Sequence, residues 1–558
     1  MEMLYRIGKK MMDIQLSNLK PRILLVDNDI RARQVYEVLL RYWDYVPVIA
    51  EGEGKSLIEN AKKKARQECC HIALIDLRLM DDYDEEDVSG LKLAVTIGPI
   101  RTILLSGNPN QKVLLDILAN HKDIVFINKG AAPEDKRQIV DTEMSKVCAV
   151  KRGLTIEPAM LMEEIACTTF KMLIGLYTDQ VADILAQLFP AATSLRIEKL
   201  DASSDFSHAS GVPRPNSVVL KVYEADLEPV VVKLARAGKI EIEVDNYKKF
   251  IHRRLSGSFI ARLERSAALW DIGGALYTYI GDFDVKTFSS YYEEHPIDDI
   301  RDCLNSFFTV SWGKHYEKAR EETNTYLFEM YGTVWGDWYG KRVRNFKTRN
   351  SMKTSNLYEE IRLPDPIGWF KENIAEHKAA DLSLVDNTRV AITHGDLHGD
   401  NLLIDSRKNA WVIDFERTRE GHALQDFIEL ESDILNRHQA RNEDLACYYQ
   451  MCLIVASQKE IQGLHENEME SLNPGIRKAL QTISLLRQLA FECTGIQDAR
   501  QYLLGLLFNT IFRATINNQE KYRARQYRAL MLAGIFCHRL DHWNEPWPPE
   551  EWKSILQK

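Results

Sequence analysis

The 558-residue sequence has no long apolar run. Tyr502–Phe508, among its longest, is far short of the ~20 residues needed to cross a bilayer. The first residues are Met-rich, but Lys9, Lys10 and Asp13 interrupt them, so no signal-peptide core is expected. There is no excess of positive charge: 72 Lys and Arg stand against 81 Asp and Glu, a net charge of −9. That balance excludes a polybasic membrane anchor and makes nucleic acid an unexpected partner. The nine cysteines include the adjacent pair Cys69 and Cys70 but no CxxC, which argues against a disulfide framework or a zinc site and for a reduced, cytoplasmic protein. Low-complexity tracts and internal repeats are also missing. What remains is ordinary globular composition, 45% hydrophobic and 27% charged, with material for several cores.

Short apolar runs alternate with helical spacing over residues 21–130. The runs Arg22–Val26, Val46–Ala50, His71–Ile75, Arg101–Leu105 and Ile124–Ile127 read as buried strands, and Arg31–Tyr42 and Gln111–Asn120 as helices. That alternation predicts a parallel five-stranded sheet covered on both faces, an α/β domain. Residues 134–190 read as helical throughout, a linker. Residues 191–280 turn strand-rich, with Ser217–Tyr223, Pro229–Leu234 and Ala275–Ile280 as strands and a helix from Lys239 to about Arg254. From 281 onward the pattern is helical except for a hairpin at 401–415. The expected domains are an extension (1–20), the α/β domain (21–133), the linker (134–190), and then two lobes of an α+β domain (191–280 and 281–558).

In an open parallel sheet, functional groups collect at the carboxyl ends of the strands. Here those ends carry Asp27 with Asn28 and Asp29, then Asp76, Ser106 and Lys129. Clustered carboxylates of this kind suit a divalent cation, and a lone lysine suits a phosphoryl group. The arrangement resembles the receiver domain of bacterial response regulators, a flavodoxin-like fold. The resemblance implies that Asp76 is the phosphoacceptor and that Asp27 and Asp76 hold Mg²⁺. It also implies that Ser106, Lys129 and Phe126 are the switch residues, with a sensor histidine kinase as partner and a homodimer as an available state. Two departures stand out. The second acidic position is Asn28, for which Asp29 is a candidate substitute, and the acidic run Asp81–Asp87 lengthens the loop after Asp76. That run reads as a solvated loop. A receiver-shaped docking module without phosphorylation is the alternative.

The second constellation is Thr393-His394-Gly395-Asp396-Leu397-His398-Gly399-Asp400-Asn401, followed by Ile413-Asp414-Phe415-Glu416. Apolar strands flank a polar loop. Phosphoryl transfer requires a carboxylate to take the acceptor's proton and oxygen ligands for Mg²⁺, a set that Asp396, Asn401 and Asp414 supply. The pattern resembles the aminoglycoside phosphotransferase and choline kinase superfamily, with its bilobal protein-kinase-like fold and large helical C-lobe. The resemblance implies Asp396 as catalytic base, Asn401 and Asp414 as metal ligands, and His394 and Asp426 as structural residues. Upstream, Lys233 sits in the apolar strand Val230–Leu234, the setting of a lysine that contacts ATP phosphates. On the next helix Ile240, Val244, Tyr247, Phe250 and Ile251 form an apolar arc that includes Glu243, which makes Glu243 the partner for Lys233, with Glu241 as rival. Tyr279 and Ile280 are expected at the adenine edge. The covering loop, 201–211, has serines and two aspartates but only one glycine, Gly211.

The function expected is therefore an ATP- and Mg²⁺-dependent phosphotransferase acting on a hydroxyl of a small molecule or protein, regulated through Asp76. The alternative is a weak or inactive nucleotide-sensing scaffold in a bacterial signalling or defence complex. Near 285–390, where the superfamily places substrate insertions, an aromatic and cationic stretch (Tyr331, Trp335, Trp338, Tyr339, Lys341, Arg342, Arg344, Phe346, Lys347, Arg349) reads first as a lid packed on the core. An aromatic cage for a quaternary amine, or cations steering an anionic partner, are the other readings.

Overall fold

The computed structural model describes residues 20–81, 83–84, 86–107, 124–170, 178–199, 217–225, 227–255, 260–279, 285–346, 363–376, 382–438, 445–464, 472–516 and 523–552. They form two compact units. The first holds the described residues of 1–204, 212–241 and 263–279, and the second those of 242–262 and 280–558.

The first unit begins with five parallel strands: β1 (Arg22–Val26), β2 (Val46–Ile49), β3 (Ile72–Asp76), β4 (Arg101–Ser106) and β5 (Ile124–Asn128). Their order, 2-1-3-4-5, is that of a doubly wound flavodoxin-like sheet. Strand side chains alternate between faces. Ile23, Leu25, Ile72, Leu74, Ile103 and Leu105 pack on one side with Tyr36 and Leu40 of α1 (Ile30–Tyr42). Leu24, Val26, Ala73, Ile75 and Leu104 pack on the other with Leu57, Ala61 and Ala65 of α2 (Gly54–Gln67). Such sheets need apolar residues at nearly every strand position, and that is why the runs are continuous in sequence.

The second core continues into a six-stranded sheet ordered β10-β11-β9-β8-β7-β6. Its strands are β6 (Thr155–Glu157), β7 (Ser194–Lys199), β8 (Ser217–Tyr223), β9 (Val230–Arg236), β10 (Leu263–Leu269) and β11 (Ile272–Thr278). Ile184 and Leu188, from the helix Thr178–Leu188, join Leu234, Ile272 and Leu276 in the same apolar cluster as β1 and β3. The turn between β10 and β11 is tied to the parallel-sheet domain. Trp270 Nε1 donates to the Cys70 carbonyl at 2.8 Å, and Arg66 pairs with Asp271 at 3.2 Å. The segment 134–190 is thus not helical throughout. β6 interrupts it between Gly153, which ends a helical turn at φ +74°, and Pro158. A three-residue strand that pairs only with distant β7 leaves no local periodicity to read.

The second unit carries two three-stranded sheets among helices. One joins β13 (Arg320–Tyr326), β14 (Leu384–Thr393) and β17 (Arg419–His422). The other joins β12 (Lys286–Thr287), β15 (Leu402–Ile404) and β16 (Ala410–Val412). The expectation of helices with a single hairpin therefore fails at β13. Its sequence, REETNTY, is polar and largely exposed, so it lacks the apolar alternation that marks a strand. No helix among the described residues is long and apolar enough to cross a membrane.

Candidate active site

β14 runs straight into His394 and the loop 395–401, and β15 and β16 lead back to Asp414. The loop closes on itself. Asn401 Nδ2 donates to the Asp396 carbonyl at 2.9 Å, the Ile413 amide donates to the Asn401 carbonyl at 3.1 Å, and His394 Nε2 contacts the Ile413 carbonyl at 3.0 Å. One chain of hydrogen bonds thus links Asp396, Asn401 and the residue before Asp414. Gly395 holds φ +75°, and a side chain there would strike the Arg417 carbonyl at 2.6 Å, so glycine is required by both conformation and space. Asp414 also sits in the left-handed region, at φ 75° and ψ 74°. For a residue with a Cβ this conformation is costly and must be held by its surroundings. Asn246 does part of that work: its Nδ2 donates to the carbonyls of Phe415 at 3.1 Å and Glu416 at 2.8 Å.

What holds the loop from below is a helix that sequence reasoning credited with one residue. Helix Gln425–Asp433 places Asp426, Glu429 and Asp433 on successive turns of one face, all buried. Asp426 accepts from the amides of His394 (2.9 Å) and Gly395 (3.0 Å) and from the Tyr316 hydroxyl (3.1 Å). Glu429 accepts from the Leu397 amide (2.6 Å), Trp335 Nε1 (3.2 Å) and Gln425 Nε2 (2.9 Å). Asp433 accepts from the Gly399 amide (2.9 Å) and pairs with Arg513 (3.0 Å). Three carboxylates therefore capture four backbone N–H groups of a loop that has no strand or helix partner for them. Such hydrogen bonds are worth about 0.5–1.5 kcal/mol each, and about 1.5–3 kcal/mol where the acceptor is ionised. The signal was available as acidic residues at i, i+3 and i+7, Asp426, Glu429 and Asp433, interleaved with Phe427, Ile428 and Leu430.

Asp396 lies partly open, its side chain 37% exposed, and Arg417 Nη1 approaches it at 3.2 Å. Burial pushes its carboxyl up, but the charges of Arg417 and His398 outweigh burial and Asp414 and hold it below the ordinary range. Arg417 is held above its usual value, chiefly by Asp396. Glu429 shows the opposite behaviour. Burial, then the Asp396 and Asp426 charges, push it up to about 8. Asn401 turns its amide nitrogen toward the Asp396 carbonyl, so its oxygen is the end that a cation would meet. Asn401 and Asp414 would each offer a cation an oxygen, the donor type that Mg²⁺ takes.

The other expected site residues fall as follows. Lys233 is buried in the middle of β9. In the helix Ala237–Asn246 and the turn after it, Ile240, Glu243, Val244, Tyr247, Phe250 and Ile251 are buried and Glu241 is exposed. Tyr279 follows β11, which ends at Thr278, and its ring lies 4.5 Å from Lys221 Nζ. Ile280 and the 201–211 loop lie outside the described residues. Most of the aromatics of 331–339 pack inward: Tyr331 edge to face on Phe508 (5.3 Å) and Trp338 tilted on Phe370 (5.6 Å).

At the carboxyl edge of the parallel sheet, Lys129 Nζ bridges Asp27 (2.8 Å) and Asp76 (2.9 Å). Burial lowers the affinity of Lys129 for its proton, but Asp76 and Asp27 together more than restore it. Ser106 is buried at the end of β4, and its carbonyl accepts the Lys129 amide at 2.8 Å. Phe126 is partly buried against the core, and Gln111–Asn120 lies outside the described residues. Asp29, beside Asn28, stands at the start of the helix that follows. Its carboxylate caps α1, accepting the Arg31 amide at 2.8 Å. The acidic run folds into a self-capped loop in which Asp87 accepts the amides of Met80, Asp81 and Ser89. It returns to the strand end through Gly90, whose absent side chain lets the backbone pass the Asp76 carbonyl.

Residues 313–511 match the family described as ternary complex associated domain 9. Comparison with curated proteins finds no match. Among solved structures, the chain overlaps the GDP complex of a wild-type aminoglycoside 2'-phosphotransferase at 12% identity. That overlap covers 64% of this chain and 97% of the other, with a TM-score of 0.36. An aminoglycoside phosphotransferase from Streptomyces rimosus, in complex with ADP and streptomycin, overlaps at 13% identity, 57% and 90% coverage and a TM-score of 0.24. Choline kinase from Cryptosporidium parvum overlaps at 11%, 65% and 90%, with a TM-score of 0.30. At these scores the overlaps by themselves assign neither fold nor activity.

Proposed function

We propose that this chain is a kinase-like phosphotransferase that moves the γ-phosphoryl group of ATP to an acceptor hydroxyl. The observation that carries the reading is the hydrogen-bonded chain from Asp396 through Asn401 to Ile413, beside the strained Asp414. It supports a reading in which a partly open carboxylate works beside two residues that can offer a cation oxygen. In this reading Asp396 orients and deprotonates the acceptor, and Asn401 and Asp414 hold Mg²⁺. When bound, the cation supplies charge neutralisation on the phosphates. Lys233 contacts the phosphates with Glu243 as its ion partner, and Tyr279 and Ile280 border the adenine. The lowered proton affinity of Asp396 keeps it ionised and ready at neutral pH.

The parallel-sheet domain is read as receiver-like. Asp76 accepts a phosphoryl group, Asp27 and Asp76 share a divalent cation, and Lys129, Ser106 and Phe126 respond. Its donor set is two carboxylates, since Asn28 is neutral and Asp29 caps a helix. A sensor histidine kinase and a homodimer belong to this part of the proposal. A second reading, a nucleotide-binding scaffold, is favoured by one observation: the match at 313–511 to a family described as associated with ternary complexes.

ADP release with Mg·ATP and a panel of hydroxylated acceptors separates the two. The enzyme reading expects metal-dependent turnover that falls about 10²–10⁴-fold in Asp396→Ala, with Asp414→Ala losing metal dependence. ATP binding without turnover on any acceptor, wild type included, supports the scaffold and overturns the enzyme.

A further inference from the structure

The groups around Asp396 bear on which acceptors the site would take, an inference that rests on the phosphotransferase reading. Arg417 pairs with Asp396, and its guanidinium lies 5.9 Å from the ring of Phe512. Arg342 lies 5.1 Å from the same ring. Phe512 stacks on Trp335 at 5.1 Å, and Glu429 fixes the Trp335 indole. Next to Phe512, Arg513 is matched by Asp433 at 3.0 Å. Three guanidiniums therefore gather here. Asp396 and Asp433 pair with two of them, and Glu429, Glu416 and Asp414 also act on Arg417, while Asp337, just before Trp338, is engaged by the Gly340 amide. Arg342 has no ion-pair partner among the described residues, and the stretch Trp338–Phe346 around it contains Lys341 and Arg344 but no acid. Burial, and then the nearby Arg417 charge, lowers the hold of Arg342 on its proton. At Arg342 itself a cationic group of an acceptor would meet repulsion, and an anionic one would find a partner.

We propose that the acceptor carries its hydroxyl on a small anion, a phosphomonoester or a carboxylate. Arg342 is then the specificity-determining residue that receives the anionic group, and the Trp335–Phe512 pair seats the carbon skeleton. The step balances simply. The acceptor oxygen forms a bond to the γ-phosphorus, the bond from that phosphorus to the β,γ-bridging oxygen breaks, ADP leaves with the electron pair, and the hydroxyl proton passes to Asp396. Guanidinium forks match phosphate and carboxylate geometry, which makes arginine suited to this task.

The test uses the full chain with Mg·ATP and four probes: glycerol 3-phosphate, gluconate, glycerol and choline. ADP release is measured, and binding of each probe is followed separately by calorimetry without ATP. Turnover is expected with an anionic probe, and Arg342→Gln should raise its KM roughly ten- to a hundredfold, the range for losing one charge-assisted hydrogen bond. Arg342→Lys should recover part of that loss, and Arg342→Glu should not. Turnover with glycerol or choline at a KM indifferent to Arg342 overturns the inference and leaves the phosphotransferase standing. If no probe is turned over, calorimetry decides. Anion binding lost in Arg342→Gln sustains the anion site while the enzyme reading fails, and no anion binding in the wild type overturns the site.

Discussion

The parallel-sheet pocket and the 395–401 loop both gather acidic residues, yet they neutralise them in different ways. In the pocket, one side-chain cation does it: Lys129 reaches from the end of β5 to bridge Asp27 and Asp76. Around the loop, the backbone does it. Asp426, Glu429 and Asp433 are buried, and each accepts at least one N–H of the segment it holds. A side-chain bridge is easily displaced by a competing charge such as a phosphoryl group or a metal. A carboxylate ladder under a backbone is fixed, and it presets the position of Asp396 before any ligand arrives. The first arrangement suits a switch and the second a scaffold for chemistry.

The comparison can be broken at three points. Asp426→Ala removes the acceptor for two loop amides and the Tyr316 hydroxyl at once, leaving three buried donors. The expected loss in chemical denaturation is on the order of 4 kcal/mol, and Asp426→Asn should recover only part of it. If Asp426→Ala costs no more than an average surface change, the ladder is not what holds the loop. Next comes Lys129→Met, which strands two carboxylates at the sheet edge and should cost about 3 kcal/mol at neutral pH. Because the proton affinity of Lys129 is raised in the folded chain, its contribution is complete below its unfolded pKa and is lost only as pH climbs through the folded value. The mutant and wild-type stabilities should therefore converge in strong alkali. An unchanged difference there would show that packing of the lysine stem matters more than its charge.

The smallest effect is the pH response of Glu429. A carboxyl raised to about 8 keeps its proton in the folded state while the unfolded chain releases it near 4.5. Stability should therefore decline as pH rises between those values and level off above 8. Glu429→Gln should flatten that slope relative to wild type. The N–H donors on both oxygens favour the ionised form and offset part of the burial, which keeps the effect modest. A steeper slope in the glutamine variant would reverse this assignment.

Residues along the chain differed sharply in how legible they were. The five parallel strands matched their apolar runs to within about a residue at each end, since strands covered on both faces must be apolar nearly throughout. Asp27, Asp76 and Ser106 could be read because strand ends in such a sheet are where polar groups gather. Glu243 and Glu241 could be told apart by helical phase, and the burial of the first and exposure of the second follow that phase. The capping role of Asp29 was not legible, because capping depends on where a helix starts, a boundary that periodicity locates poorly. β6 and β13 left no local mark, since each is short or polar and is stabilised only by a distant partner.

The sequence by itself determined which residues could do chemistry. Asp396, Asn401 and Asp414 occupy loop and strand-end positions that the flanking apolar runs dictate. Only the tertiary structure decided how those residues are held and what surrounds them. The pairing of Arg417 with Asp396, the gathering of Arg342 and Arg417 against Phe512, and the seating of four loop amides on Asp426, Glu429 and Asp433 join residues some 20 to 170 positions apart. Hydrogen bonds and charge pairs act over a few ångströms, and a sequence carries no record of which distant residues come that close until the cores have packed.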